Sequence, residues 1–245
     1  MARLLHSGVE DAHPCSYLPA QPASLEHQVL LDVSPEEADA LFDRGWRHFG
    51  PDWFRPACAG CDACVSTRVL VDQFAPNRSQ RRAFRHAHAL RSEVCRPVVD
   101  EAHLALFATW HSERVAVRSW EPVAVEADEY FMQFAFPTTI AREVAYTDEA
   151  AGGRLVMVAI CDETPHAWNA VFCYYDPAYA RLSPGIANIL TLVGLARATG
   201  RRFLHLGYRV SACPSLRYKS AFHPQEVLLG RPGPGEEPHW VVQGL

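Results

Sequence analysis

The sequence predicts an α+β fold in two domains: an N-terminal α+β domain with a cysteine cluster over residues 1–96, and a C-terminal domain with a mainly antiparallel sheet over residues 97–245. Three observations carry it. Leu155 to Asp162 and Trp168 to Tyr175 are strand-like runs joined by the turn signal E-T-P-H, which makes an antiparallel pair. Ile186 to Thr199 has the apolar spacing of a helix, stops at Gly200 and is followed by the strand-like run Phe203 to Tyr208, so strands and helices mix without the alternation of a doubly wound sheet. Cys58, Cys61 and Cys64 form a close cluster that sets the N-terminal region apart.

Along the chain, residues 1 to 24 read as irregular, punctuated by Pro14, Pro19 and Pro22, and Leu25 to Val33 alternates as a strand. Ser34, Pro35 and Glu37 are an N-cap, a first-turn proline and an early acid; the helix they open buries Ala38, Leu41 and Phe42 and ends near Gly45. An aromatic stretch from Trp46 to Phe54 leads to the cysteines, Thr67 to Val71 reads as a strand, and Ser79 to Glu93 as a basic helix. The second domain begins near Pro97. Asp100 caps a helix from His103 to His111, a further helix covers Ala127 to Ala135, and the Pro, Gly and Glu-rich stretch Gly230 to Pro238 connects to a last strand, His239 to Val242.

With 49% hydrophobic and 11% aromatic residues in 245, the chain buries a real core. A formal charge of -5 argues against broad coating of nucleic acid and leaves room for a local basic patch. No run approaches the roughly 20 apolar residues of a membrane span, and M-A-R-L-L-H-S-G-V-E has no apolar signal core, so a cytoplasmic protein without a membrane partner is expected. Eight cysteines are too sparse for a disulfide scaffold; in a reducing compartment their cluster points to metal binding or catalysis.

Three constellations carry chemistry. In R-P-A-C-A-G-C-D-A-C, Cys58, Cys61 and Cys64 can turn three thiolates toward one zinc ion or iron–sulfur cluster with Cys15 as fourth ligand, or remain unligated thiols. Arg78, Arg81, Arg82 and Arg85 share a helix face, either a stripe that tracks a phosphate backbone or a plain solvated face. The segments C-Y-Y-D-P, R-L-S-P-G-I-A and L-G-Y-R-V-S-A-C-P-S-L-R-Y-K place Asp176, Ser183 and Tyr208 at strand and helix ends, where ligand clefts form. The last segment holds the only lysine of the chain, Lys219, against 22 arginines. It is either a chance survivor on a solvated turn or a place that needs a compact ammonium able to lose its proton when buried.

Together these segments, with C-S-Y-L-P, R-G-W-R-H-F-G and F-A-P-N-R-S-Q-R-R, resemble the arginyl-tRNA–protein transferase family in its bacterial aspartate/glutamate leucyltransferase branch, in order and over nearly the whole chain. The resemblance implies a cytosolic enzyme that moves an amino acid from its tRNA to a protein's N-terminal amine. In this branch the donor is leucyl-tRNA and the acceptor begins with Asp or Glu, and neither DNA nor a membrane is involved. It implies a GNAT-like acyltransferase domain, catalytic roles for Asp176, Tyr208, Tyr218 and Lys219, substrate binding by Tyr17, Ser183 and Arg217, and tRNA binding by Arg78, Arg81, Arg82 and Arg85. It requires no cofactor for the chemistry, although some relatives hold an iron–sulfur cluster at the cysteines. The chain departs from the family at L-S-P-G-I, where Leu182 and Pro184 replace an arginine and a leucine, and at N-A-V-F from Asn169. Arginine as donor, a diverged binder without turnover, and a coenzyme A acetyltransferase are the alternatives.

Overall fold

Two sheets organise the chain. The computed structural model describes residues 1–118, 122 and 124–243. In the first sheet β1 (Arg3–Val9) runs antiparallel to β4 (Leu25–Leu31); between them in the chain the short strands β2 (His13–Pro14) and β3 (Pro22–Ala23) pair as a two-stranded ribbon of their own. Residues 1 to 24 are thus not irregular throughout, as their prolines suggested. β1 is exposed at every position, so it has no buried face to imprint alternation on the sequence. Ser34 then caps α1 (Pro35–Asp43) reciprocally: its hydroxyl accepts from the Glu37 amide at 3.2 Å and its own amide donates to the Glu37 carboxylate at 2.9 Å. The aromatic stretch, unassigned in the sequence, supplies β5 (Arg47–Phe49) and β6 (Asp52–Pro56), giving the order β1-β4-β6-β5.

β7 (Val65–Leu70) leaves this sheet for one of eight strands. α2 (Arg78–Ala87) follows, capped by Asn77 with Gln80, and ends sooner than predicted, because Arg91–Cys95 is a strand, β8. β8 is exposed at four of its five positions, so again no burial pattern marked it. The Asp100 carboxylate accepts from the His103 amide at 2.9 Å and opens α3 (Glu101–Arg118); α4 (Ala127–Tyr130) continues into a π-helical turn over Phe131–Ala135. β9 (Ala141–Asp148), β10 (Arg154–Glu163), β11 (Ala167–Tyr175), α5 (Pro184–Ala198), β12 (Phe203–Arg209), β13 (Gln225–Leu229) and β14 (His239–Gln243) complete the chain, of which β9 and β13 had no reading in the sequence.

The large sheet has the order β14-β13-β7-β12-β11-β10-β9-β8 and is antiparallel except where β11 meets β12. β7 and β8 belong to it, so the sheet runs across the division drawn at residue 97. Alternation along β10 shows how it is packed: Met157, Ala159 and Cys161 join Leu192, Val193 and Ala196 of α5, whereas Val158 and Ile160 join Leu106 and Trp110 of α3 with Phe134. Helices thus cover both faces of a mixed α/β fold with a mainly antiparallel sheet.

Candidate active site

β11 and β12 are paired in parallel only over Ala167–Asn169 against Phe203–His205. Immediately beyond, each strand carries a bulge: Val171 is passed over in the ladder of β11 with β10, and Leu206 in that of β12 with β7. Bulges bend and twist a strand, and here they let the two strands diverge. A cavity of about 880 Å³ lies in the gap, with Phe172 and Tyr175 from β11, Gly207 and Tyr208 from β12, and the Ser183–Ile186 entrance of α5 in its lining. β5 of the small sheet contributes Arg47 and His48.

Arg47 is 6% exposed. Its Nη1 donates to the Trp46 carbonyl, while Nε and Nη2 have no hydrogen-bond partner among the described residues. Its guanidinium lies 5.5 Å from the Tyr208 ring centroid. Lys219 approaches from the turn Arg217–Ala221, half-buried, and donates to the Tyr208 carbonyl at 3.1 Å. Burial, and next the positive charge of Arg47, push the Lys219 ammonium down to about 7.

Beside these cations lies a buried polar chain. His48 Nδ1 faces the Gly50 carbonyl at 2.9 Å, its Nε2 faces Asp162 Oδ2 at 3.0 Å, and Asn169 Nδ2 donates to the same carboxylate oxygen at 2.9 Å. Burial works against a charged His48, but the Asp162 carboxylate and these hydrogen bonds outweigh it and hold the imidazole above its ordinary value. Because Asp162 requires a donor, the Asn169 amide is oriented, and its Oδ1 is left buried at the cavity without a partner among the described residues. The Asn169 side chain therefore presents an acceptor to the cleft.

The family description "Arginine-tRNA-protein transferase, N terminus" matches residues 13–82, and "Arginine-tRNA-protein transferase, C terminus" matches residues 102–229. The chain belongs to this transferase family. A protein of Halorhodospira halophila named aspartate/glutamate leucyltransferase is 34% identical over 221 residues, 89% of this chain and 92% of that one. One of the same name from Helicobacter hepaticus is 29% identical over 229 residues, 93% and 94% of the two chains. Among solved structures, the C-terminal domain of a putative lysylphosphatidylglycerol synthetase from Agrobacterium fabrum is similar in fold alone, with a TM-score of 0.50 at 14% identity over 86% of this chain and 66% of that one.

In this transferase the cavity gathers Tyr17, Ser183, Tyr208, Tyr218 and Lys219 of the residues expected from sequence. Ser183 is in the left-handed region at φ 55°, makes no capping bond, and holds the α5 entrance in a strained turn at the cleft. The Tyr218 hydroxyl lies 3.6 Å from where a Cβ on Gly185 would sit, and burial pushes this phenol up to about 12. The Tyr208 hydroxyl is committed to structure, donating to the Gly45 carbonyl at 2.9 Å and the Phe54 carbonyl at 3.3 Å. Asp176 lies outside the cavity lining: it caps the turn Pro177–Leu182, accepting from the Ala178 amide at 2.9 Å, and pairs with Arg154 at 2.7 Å. Arg217 is exposed and also outside the lining. Arg78, Arg81, Arg82 and Arg85 are all exposed on α2, which packs against α5 and the turn Pro177–Leu182 near the cleft. Arg47, His48 and Asp162 escaped the sequence reading as site residues; the signal for the first two was the R-G-W-R-H-F-G segment, whose members carried no individual roles, and Asp162 read only as the end of a strand.

The thiols occupy a different place. Cys58, Cys61 and Cys64 line a second cavity of about 720 Å³ that shares Tyr208 with the first. Burial, then the neighbouring Cys15, Cys58 and Cys61, push Cys64 up to about 12, so the four thiols are neighbours. Their chemistry suits zinc or an iron–sulfur cluster, but their spacing does not: among the described residues no three His, Cys, Asp or Glu side chains converge closely enough to hold a metal ion. No step is assigned to such a group. No helix among the described residues is long and apolar enough to cross a membrane.

Proposed function

We propose that this chain moves leucine from leucyl-tRNA to the N-terminal amine of proteins that begin with Asp or Glu, using the GNAT-like cleft between β11 and β12. The observation that carries the reading is the cleft, with Arg47, Lys219 and one oriented acceptor in its lining, in a chain whose named relatives are aspartate/glutamate leucyltransferases.

The chemistry demands little of the protein's bases. An aminoacyl ester is already activated, and an N-terminal amine has a pKa of roughly 7.7 to 8.0, so about a tenth is neutral near pH 7. Asn169 Oδ1 is the acceptor available to hold the amine as it attacks the ester carbonyl. A carbon–nitrogen bond forms, the ester carbon–oxygen bond to the terminal ribose breaks, and the amine proton passes to the departing ribose hydroxyl. Holding amine and ester in attack geometry supplies about 7 kcal/mol or more, the largest contribution. Backbone amides at the two bulges, where the ladder is interrupted, are the candidate donors for the oxyanion. The exposed arginines of α2 suit the tRNA backbone.

Leucine rather than arginine is supported by the named relatives; a further pocket of about 290 Å³ shares Phe49, Trp110 and Phe172 with the cleft, but its lining combines Phe107 and Phe134 with Glu126 and Glu129 and does not separate the two donors. A coenzyme A substrate is disfavoured at the α5 entrance. Pro184 has no amide, and the Ile186 and Ala187 amides both donate to the Ser183 carbonyl at 3.0 Å, leaving a poor cradle for a pyrophosphate. A side-by-side assay of purified protein with leucyl-tRNA and arginyl-tRNA, on peptides starting with Asp, Glu and Ala, tests the reading. Leucine transfer to the two acidic peptides is expected; faster arginine transfer, or binding without turnover, would overturn it.

A further inference from the structure

We infer that Arg47 and Lys219 form the site that reads the acidic first side chain of the acceptor protein, with the buried, unpartnered edge of the Arg47 guanidinium as its carboxylate clamp. The inference rests on the transferase reading above and adds to it the residue that selects the acceptor.

Among the described residues three arginines are similarly buried, Arg47, Arg55 and Arg68 at 6%, 9% and 8% exposure, and two of them have acidic partners. Arg55 Nε meets Glu26 at 2.6 Å; Arg68 meets Glu226 at 2.6 Å and Asp43 at 2.7 Å. Arg47 has none, although a buried guanidinium without an anion is costly. Its unpartnered donors are also the right pair. Nε and Nη2 lie along one edge of the planar fork, the edge that takes a carboxylate with two parallel hydrogen bonds, while Nη1 is tied to Trp46.

Lys219 stands at the same spot. Nζ of Lys219 and Nε of Arg47 are each 3.6 Å from the position a Cβ would take on Gly207, and that glycine leaves the space open. The other charged or titratable groups facing the pair are already engaged or distant from it. Asp162 on β10 is bound by His48 and Asn169, Asp43 at the end of α1 by Arg68, the Tyr208 hydroxyl on β12 by two carbonyls, and Cys213 after β12 contacts Ser215 at 3.2 Å. The anion that completes the arrangement must reach a guanidinium sunk at the cavity wall. Nε and Nη2 are closed off from solvent in this conformation, so the guanidinium must shift toward the cavity to receive the tip of an Asp or Glu side chain, whereas a phosphodiester, flanked by two riboses, needs a wider opening.

The test uses the full chain and two peptides that differ only in Glu or Gln at the first position. Wild type is expected to transfer leucine to the Glu peptide alone. Arg47→Gln should lower kcat/KM for the Glu peptide about 10²-fold and abolish the preference over Gln, with KM for leucyl-tRNA unchanged. A variant that melts like wild type and still prefers Glu would overturn the inference. Calorimetry on wild type without tRNA gives a readout independent of both folding of the variant and turnover. At pH 8, binding of the Glu peptide should take up a proton, because the carboxylate restores the charge on Lys219, and the Gln peptide should not; equal affinity and equal proton uptake would refute the site. Absence of transfer by wild type to either peptide would instead fell the transferase reading, and calorimetry of the Glu and Gln peptides on wild type and Arg47→Gln would still decide whether Arg47 holds a carboxylate.

Discussion

Nε of Arg47 and Nζ of Lys219 converge on Gly207, each 3.6 Å from the point where a Cβ would lie. Two cations from distant segments of the chain share one gap with no anion between them, an arrangement folding alone does not favour. Burial first, and the Arg47 charge next, depress the Lys219 ammonium to about 7 against an ordinary 10.5.

That depression makes stability depend on pH in a stated direction. Between about 7 and 10.5 the unfolded chain keeps the Lys219 proton that the folded protein gives up, so stability rises with pH across this window and is level, for this group, below it. Thermal midpoints of wild type and Lys219→Met at pH 7 and pH 9 should therefore diverge, wild type gaining on the order of 5 °C relative to the variant. Parallel curves would contradict the assignment.

Lys219→Met should reduce kcat/KM for an acceptor beginning with Glu by about 10²-fold. Lys219→Arg should restore little of it, because a flat guanidinium differs in shape from a compact ammonium and already has a neighbour of its own kind in Arg47. Initial rates of leucyl transfer decide both.

Gly50 closes the turn that presents β5, at φ 52°, and a Cβ there would lie 1.9 Å from the Met132 carbonyl oxygen. Gly50→Ala combines left-handed strain of roughly 1–2 kcal/mol with a backbone clash, so a loss of about 3 kcal/mol or more in urea denaturation is expected. Transfer should fall as well, since Arg47 and His48 precede this turn.

Asp176→Asn separates a structural group from a chemical one. The substitution weakens the ion pair with Arg154 and the capping of the following turn, costing about 0.5–1 kcal/mol in thermal or urea melts. Leucyl transfer should stay within about threefold of wild type; a loss of a hundredfold would return Asp176 to the chemistry.

Some of this fold was legible because its signals are local. The reciprocal cap at Ser34 and Glu37, the E-T-P-H turn between β10 and β11 and the stop at Gly200 each depend on residues within a few positions of one another. β1 and β8 were not legible, since exposed edge strands are defined by ladder bonds to distant partners and carry no burial pattern. Among site residues, Tyr218 and Lys219 could be singled out because they adjoin in a segment with a family resemblance, whereas Arg47 looked like one of 22 arginines.

The sequence by itself determined the family, the order of most elements and the identity of the unusual ammonium, all of which reside in residue types and short spacings. Only the tertiary structure decided which groups share a site. Bulges at Val171 and Leu206 separate β11 from β12, β5 brings Arg47 across from the other sheet, and the turn after β12 brings Lys219 to meet it. The physical reason is that burial and charge pairing act through space: Arg47 and Lys219 are 172 positions apart in the chain, and the gap they share exists only once both sheets have packed.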